Sequence, residues 1–198
     1  MDPRLRATTD EFFAKVAEYA ALDERAREAW RALLVARDYR KGDLLVTQGQ
    51  QTRHIFFVLH GLLLQYHVGE DGESIVKRFF LEQGFAASTS ALLTGDDSHF
   101  SIRAIEQVSV LQYDFGKFKD LVREHSAIAA FYIRYMERHW IVEKEPLEVS
   151  FRTDDARRKY ARFLKTYPGL EERIRQHEVA AFLGITPTQL SRIRAASR

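Results

Sequence analysis

The 198-residue chain has no cysteine, which excludes disulfides, thiolate zinc sites and Cys-ligated iron–sulfur clusters. No apolar run approaches the roughly 18 residues that span a bilayer. The opening MDPRLRATTDEFF lacks the apolar core of a secretory signal. A cytoplasmic protein with no membrane partner is the expectation. Signatures of catalysis are missing too: there is no Gly-rich phosphate loop, no nucleophile elbow and no HExxH. A metal-dependent barrel enzyme of cupin type needs two histidines two apart on one strand, whereas His54, His60 and His67 stand six and seven apart. A lone histidine is more often structural than a haem ligand. No enzymatic activity, metal or resident cofactor is expected.

What is present is an ordinary globular composition, 45% hydrophobic and 29% charged, with an uneven charge distribution. Residues 157–198 hold ten Lys/Arg against three Asp/Glu, a net +7, while the preceding 156 residues carry a net −5. A basic C-terminal part beside an acidic remainder suggests two functional parts.

Along the chain, Thr8 with Glu11 forms a capping box that opens a helix, and Phe12, Phe13, Val16 and Ala20 follow at helical spacing. A second helix is predicted over 23–36, with Ala26, Trp30, Leu33 and Leu34 on one side. Short β-rich runs then occupy 44–46, 54–61, 62–68, 74–80, 99–105 and 108–115. Turn residues separate them, and Gly69-Glu70-Asp71-Gly72 gives a hairpin signal. Many short, closely spaced strands read as an antiparallel barrel or jelly roll. The stretch 85–93 reads as a short interrupting helix.

Helical pattern resumes at Gly116 and lengthens over 126–145. There Ile128, Phe131, Tyr132, Tyr135, His139 and Val142 make one stripe, widened by Ile133, Met136, Trp140 and Ile141. Two readings stay open: part of this face packs on a second copy about a two-fold axis, or all of it is buried within the chain. Pro146 is expected to break or kink the helix. Another helix runs from about Asp154 to Lys165 and ends at Tyr167-Pro168-Gly169.

The last segment, FLGITPTQLSRIRAASR, is the most informative. A helix over 176–183 ends at Gly184, where a positive φ is needed. Thr186 is then the N-cap, Pro187 the first helical residue and Gln189 the far side of a capping box. Val179, Leu183, Ile185, Leu190 and Ile193 face inward, leaving Thr188, Gln189, Ser191, Arg192 and Arg194 outward. Helix, Gly turn and capped basic helix make a helix-turn-helix, whose second helix enters a major groove of double-stranded DNA. Gln189 suits the edge of adenine, and Arg192 can fork onto guanine O6 and N7. Thr188 and Ser191 suit a thymine methyl or a phosphate. Arg194, Arg198 and His177 are assigned to the DNA backbone. The reading helix is expected to be the last element, without a β-wing, so that Arg173, Arg175 and the 157–165 helix supply further backbone contacts.

Taken together, the chain resembles the Crp/Fnr family of bacterial transcription regulators. YRKGDLLVTQGQQTRHIFFVLHGLLLQYH (39–67) resembles the start of a cyclic-nucleotide-binding β-roll, with Gly42, Gly49 and Gly61 at its turn positions. LGITPTQLSRIR (183–194) is similar to the recognition segment of the family's Bacteroidetes-type branch. The resemblance implies an α+β fold: N-terminal helices with an antiparallel β-roll or jelly roll, a long central dimerisation helix, and a small all-α helix-turn-helix domain. The boundaries expected are 1–115 for the sensor, 116–150 for dimerisation helix and hinge, and 151–198 for DNA binding. It also implies a homodimer on a pseudo-palindromic operator, with half-sites roughly 34 Å apart, and admits RNA polymerase as a further partner.

The phosphate cassette departs from the family's pattern. Where relatives that bind cyclic AMP carry a glutamate for the ribose and an arginine for the phosphate, this chain has Ser88 or Thr89 and Ser98 or His99. A phosphate buried there beside Asp96 and Asp97 would be costly. The effector pocket is therefore expected to bind an unidentified small molecule or nothing, rather than cAMP in the usual way. The alternative class is an effector-binding module whose C-terminal helices mediate protein–protein interaction; salt-insensitive binding would mark it.

Overall fold

The computed structural model describes residues 3–196. The chain divides into two compact units, Met1–Gln65 with Phe79–Arg138, and Tyr66–Arg78 with His139–Arg198.

In the first unit, α1 spans Pro3–Ala17. It begins upstream of Thr8, so the capping box expected there does not open it. Pro3 supplies a preset φ at the first helical position, and Arg-Leu-Arg-Ala propagates the helix readily. The second helix, α2 (Glu24–Arg31), is capped by Asp23, whose carboxylate accepts from the Ala26 N–H at 2.7 Å. It stops well short of 36 because Val35 and Ala36 belong to a strand, β1 (Val35–Tyr39). That strand pairs antiparallel with β8 (Val108–Asp114), from Val35 opposite Gln112 to Tyr39 opposite Val108.

The other strands are β2 (Leu44–Val46), β3 (His54–His60), β4 (Leu63–Val68), β5 (Ser74–Phe80), β6 (Phe85–Ala86) and β7 (Ser101–Ala104). They form two four-stranded sheets, β1-β8-β3-β6 and β2-β7-β4-β5. This is the expected jelly roll. Its interior is filled by Phe56, Val58, Leu63, Ile102, Val108 and Val110, among others. Gly61 turns the chain from β3 into β4 at φ 92°, and a Cβ there would lie 2.4 Å from the Gln107 carbonyl oxygen. Only glycine fits.

Outside the roll, α1 and α2 pack with α4 (Phe115–Glu124) and α5 (Ser126–Met136) around an aromatic cluster. Phe12 sits edge-to-face with Trp30, Phe57 and Tyr113 at ring separations of 5.2, 5.2 and 6.1 Å. Such pairing adds to the burial of roughly 150–250 Å² per ring. Ile128 and Phe131 of α5 are buried in this cluster, and Tyr132 and Tyr135 pack against it. That much of the central stripe is therefore covered within the chain. Ile133, by contrast, is 54% exposed.

A π-helical turn at Glu137–Val142 begins at the end of the first unit's chain and leads, in the second, through Glu143 into α6 (Lys144–Thr153). The interruption expected at Pro146 thus lies upstream of it. A proline cannot donate to the carbonyl four residues back, so the chain widens before it; within α6, Pro146 occupies the first turn, where N–H groups lack helical partners anyway. Lys77 from the β4–β5 hairpin and Lys144 lie 5.8 and 5.7 Å from the Trp140 ring, which ties the hairpin into this unit. Ile141, Val142 and Val149 are exposed. Next comes α7 (Ala156–Thr166), capped by Asp155 onto the Arg158 N–H at 2.8 Å. A 3-10 turn at Leu170–Glu172 precedes α8 (Gln176–Leu183) and α9 (Pro187–Ala196). Among the described residues no strand follows β8, in keeping with the expectation of no wing.

Candidate nucleic-acid interface

Local chemistry builds the C-terminal pair of helices as the sequence predicts. Gly184 leaves α8 at φ 67°, and the Ile185 N–H reaches back to the Ala180 carbonyl at 3.1 Å. The Thr186 hydroxyl accepts from the Gln189 N–H at 3.2 Å, while the Gln189 carboxamide oxygen accepts from the Thr186 N–H at 3.0 Å. This is the reciprocal capping box. Gln176 at the start of α8 donates its amide to the Pro187 carbonyl at 3.0 Å, tying the two helices at that end.

Packing then sorts the side chains. Val179, Leu183, Leu190 and Ile193 are buried with Tyr160, Phe163, Leu170 and Ile174, and Ile185 is half-buried. Thr188, Ser191 and Arg192 are exposed, at helical spacings of three and four that place them on one face. His177 is also exposed. Arg198 lies outside the described residues.

Two predicted contacts look different in three dimensions. Gln189 is exposed, yet its oxygen already serves the cap, so a two-point contact with adenine would require the cap to open. Arg194 is half-buried and turned toward α7: its Nε donates to the Tyr160 hydroxyl at 3.3 Å, and Nη2 lies 3.6 Å from Glu171. Tyr160 in turn donates to Glu171 at 2.7 Å. Burial, followed by the Glu171 hydrogen bond, raises the Tyr160 pKa against the opposing pull of Arg194, so the phenol keeps its proton and its donor role.

Sequence reasoning also left unnoticed a shallow depression of about 330 Å³ lined by Asp155, Ala156, Arg157, Gln189, Arg192 and Ile193. The start of α7 therefore borders the reading face, and exposed Arg157 shares it with Arg192. No short-range signal could have reported this, since the two arginines are distant in sequence. Arg162, counted with the basic helix, is instead paired with Asp154 at 2.6 Å.

In the β-roll, the four candidate effector residues scatter. Ser88 and Ser98 are each only 2% exposed, and the Ser98 hydroxyl lies 2.8 Å from that of Ser88 and 2.7 Å from the Phe100 carbonyl. Ser98 also accepts from the Phe100 N–H at 3.2 Å. Thr89 opens α3 (Thr89–Thr94) and is half-buried, whereas His99 is exposed. Gln65, 3% exposed on β4, reaches the Ala87 carbonyl at 3.4 Å. The cassette thus satisfies its buried polar groups internally. Among the described residues no group of His, Asp and Glu is placed to hold a metal, and no helix is long and apolar enough to cross a membrane.

Comparison with known proteins agrees with this architecture. Residues 36–125 match the family described as the cyclic nucleotide-binding domain. Among solved structures, FixK2 from Bradyrhizobium japonicum is 15% identical with a TM-score of 0.70, covering 83% of this chain and 84% of that one. CLP of Xanthomonas campestris, described as a c-di-GMP responsive global regulator, is 14% identical with a TM-score of 0.68, covering 88% and 91%. The Thermus thermophilus catabolite activator protein is 21% identical with a TM-score of 0.55, covering 89% and 84%. A search of curated protein sequences returned no match. At these identities the likeness to the solved structures is one of fold. The family match takes in somewhat under half of the chain, and the likeness of fold beyond it is in keeping with the resemblance noted for 39–67 and 183–194.

Proposed function

We propose that this chain is a DNA-binding transcription regulator of Crp/Fnr type, working as a homodimer and reading a palindromic operator through α9. The observation that carries the reading is the sorting within α9. Leu190 and Ile193 anchor the helix while Thr188, Ser191 and Arg192 share an exposed face, in a segment with a net charge of +7. Arg192 is the base reader, and Thr188 and Ser191 flank it. Arg157, beside Arg192, serves the phosphate backbone together with His177, Arg173 and Arg175. The 1–115 sensor, 116–150 dimerisation helix and 151–198 DNA-binding domain are kept as the functional division. Exposed Ile133 on α5, and exposed Ile141, Val142 and Val149 in the second unit, supply the apolar surface for pairing. The reading assigns no catalytic residue, and it admits RNA polymerase as a further partner.

The cassette is read as unfit for cAMP. Of the candidates for its two diagnostic positions, Ser88 and Ser98 form a neutral, buried pair, Thr89 is half-buried and His99 is exposed, an arrangement that supports poor accommodation of a phosphate. One experiment tests the whole reading: operator selection from random duplexes by purified protein, with and without cAMP. A palindromic site unaffected by cAMP is expected. Arg192→Ala should relax preference at one base per half-site at a cost of about 1–3 kcal/mol. Weak binding that ignores salt would instead support the protein-interaction alternative, because phosphate contacts make affinity fall by about 0.9 log units per log salt for each phosphate neutralised.

A further inference from the structure

We infer that Arg194 is a strut rather than a DNA contact, and that Tyr160 and Glu171 act through it to fix the pose of α9. This rests on the DNA-binding reading and assigns it two specificity-determining positioning residues, Tyr160 and Glu171. The helix itself gives the first argument. Arg194 follows Arg192 by two residues, a turn of about 200° at 3.6 residues per turn, so it leaves the helix on nearly the opposite side. There, half-buried, it meets α7 and the 3-10 turn. Its Nε donates to Tyr160 and its Nη2 approaches Glu171, two partners at once. The planar fork of arginine allows this, and a lysine ammonium would not reproduce it.

The partners are themselves held. Tyr160 is 6% exposed, stacks on Phe163 at 6.5 Å and donates to Glu171 at 2.7 Å. For Arg194 to reach a phosphate it would have to abandon a charge-assisted bond and leave the Glu171 carboxylate half-buried beside it, which is unfavourable. At the opposite end of α9, the Gln176 amide holds the Pro187 carbonyl. The reading helix is thus fastened at both termini, by a neutral tie at its start and an ionic one at its end. Base readout depends on placing side chains to fractions of an ångström, so the strut sets which base edges Arg192 can meet.

The test measures binding of the selected operator and of a scrambled duplex by fluorescence anisotropy over a range of salt, well below the unfolding temperature. Tyr160→Phe, Glu171→Gln and Arg194→Ala are compared with the unaltered protein; Tyr160→Phe keeps the ring and its packing, so the fold is preserved. Each variant should lower the operator-to-scrambled affinity ratio about tenfold, the scale of one charge-assisted hydrogen bond. The salt slope should stay unchanged. Using the ratio cancels the extra positive charge that Glu171→Gln adds. A slope reduced by about 0.9 in Arg194→Ala, with Tyr160→Phe silent, would make Arg194 a phosphate contact and overturn the inference. An unchanged ratio in all three, with only a lower melting temperature, would reduce the network to plain stability and overturn it as well. If the unaltered protein prefers no duplex, the DNA-binding reading falls, and the strut's role in specificity falls with it.

Discussion

The cassette and the reading helix carry much the same chemistry and put it to opposite use. Each offers short hydroxyl side chains, Ser88 and Ser98 in the β-roll, Thr188 and Ser191 on α9. In the cassette the hydroxyls are buried and spend their hydrogen bonds on each other and on the Phe100 backbone. On α9 they are exposed, and the apolar residues on the far side of the helix hold them outward. Composition alone does not make a binding site. What matters is whether the local fold leaves donors and acceptors unspent, and of these two regions it is the C-terminal helix that exposes them.

The strongest way to break this comparison is to attack the two sides of α9 separately. Leu190 is fully buried, so Leu190→Ala should cost about 2–5 kcal/mol, the usual range for an emptied leucine site. Thr188→Ala, on the outer side, should stay within about 0.5 kcal/mol. Urea denaturation of the full chain measures both. Comparable losses would mean that Thr188 is structural and that the helix has no free face.

A smaller effect sharpens the contrast between the regions by making one substitution in both. Ser98→Ala removes an acceptor from the Phe100 N–H and a partner from buried Ser88, at an expected cost of about 1–3 kcal/mol. Ser191→Ala should leave stability unaltered within about 0.5 kcal/mol while weakening operator binding. A neutral Ser98→Ala would show that the cassette is not closed by this pair and would reopen it to a ligand.

The difference also explains what the sequence revealed and what it hid. The cap of α9 was legible because Thr186, Pro187 and Gln189 lie within four residues and each acts on its neighbours. Strands such as β3 and β5 were legible as β-rich runs bounded by turn residues. The strand β1 was not, because Val35 and Ala36 continue the helical pattern of α2 and are drawn into the sheet only by β8, far along the chain. Thr8 read as a cap because the pattern test cannot see that helix is already under way from Pro3. The Arg194–Tyr160 bond spans 34 residues, and the Ser88–Ser98 bond turns two suspected ligand contacts into partners of one another. Local signals located the sites, and long-range contacts decided which groups remained available.

The smallest effect, absent at neutral pH, concerns two tyrosines, one in each unit. Tyr113 is 2% exposed in the aromatic cluster, and burial, with a lesser contribution from Tyr135, raises its pKa well above the ordinary phenol value. Tyr160 is raised as well, by burial and then by Glu171, with Arg194 opposing. In both cases the folded state holds the proton longer than the unfolded chain does. Stability should therefore be flat below about pH 10, where both states are protonated, and fall as pH rises beyond it, because the unfolded phenols ionise first. Tyr113→Phe should flatten that alkaline fall more than Tyr160→Phe, since Arg194 beside Tyr160 favours its phenolate and offsets part of the rise there, whereas burial of Tyr113 raises its pKa well above the ordinary value. Tyr160→Phe should add a pH-independent loss, because its bond to Glu171 exists at every pH below the transition. Urea midpoints at pH 7, 9 and 10.5 would separate the two. An alkaline fall untouched by Tyr113→Phe would mean that the cluster opens before its phenol ionises.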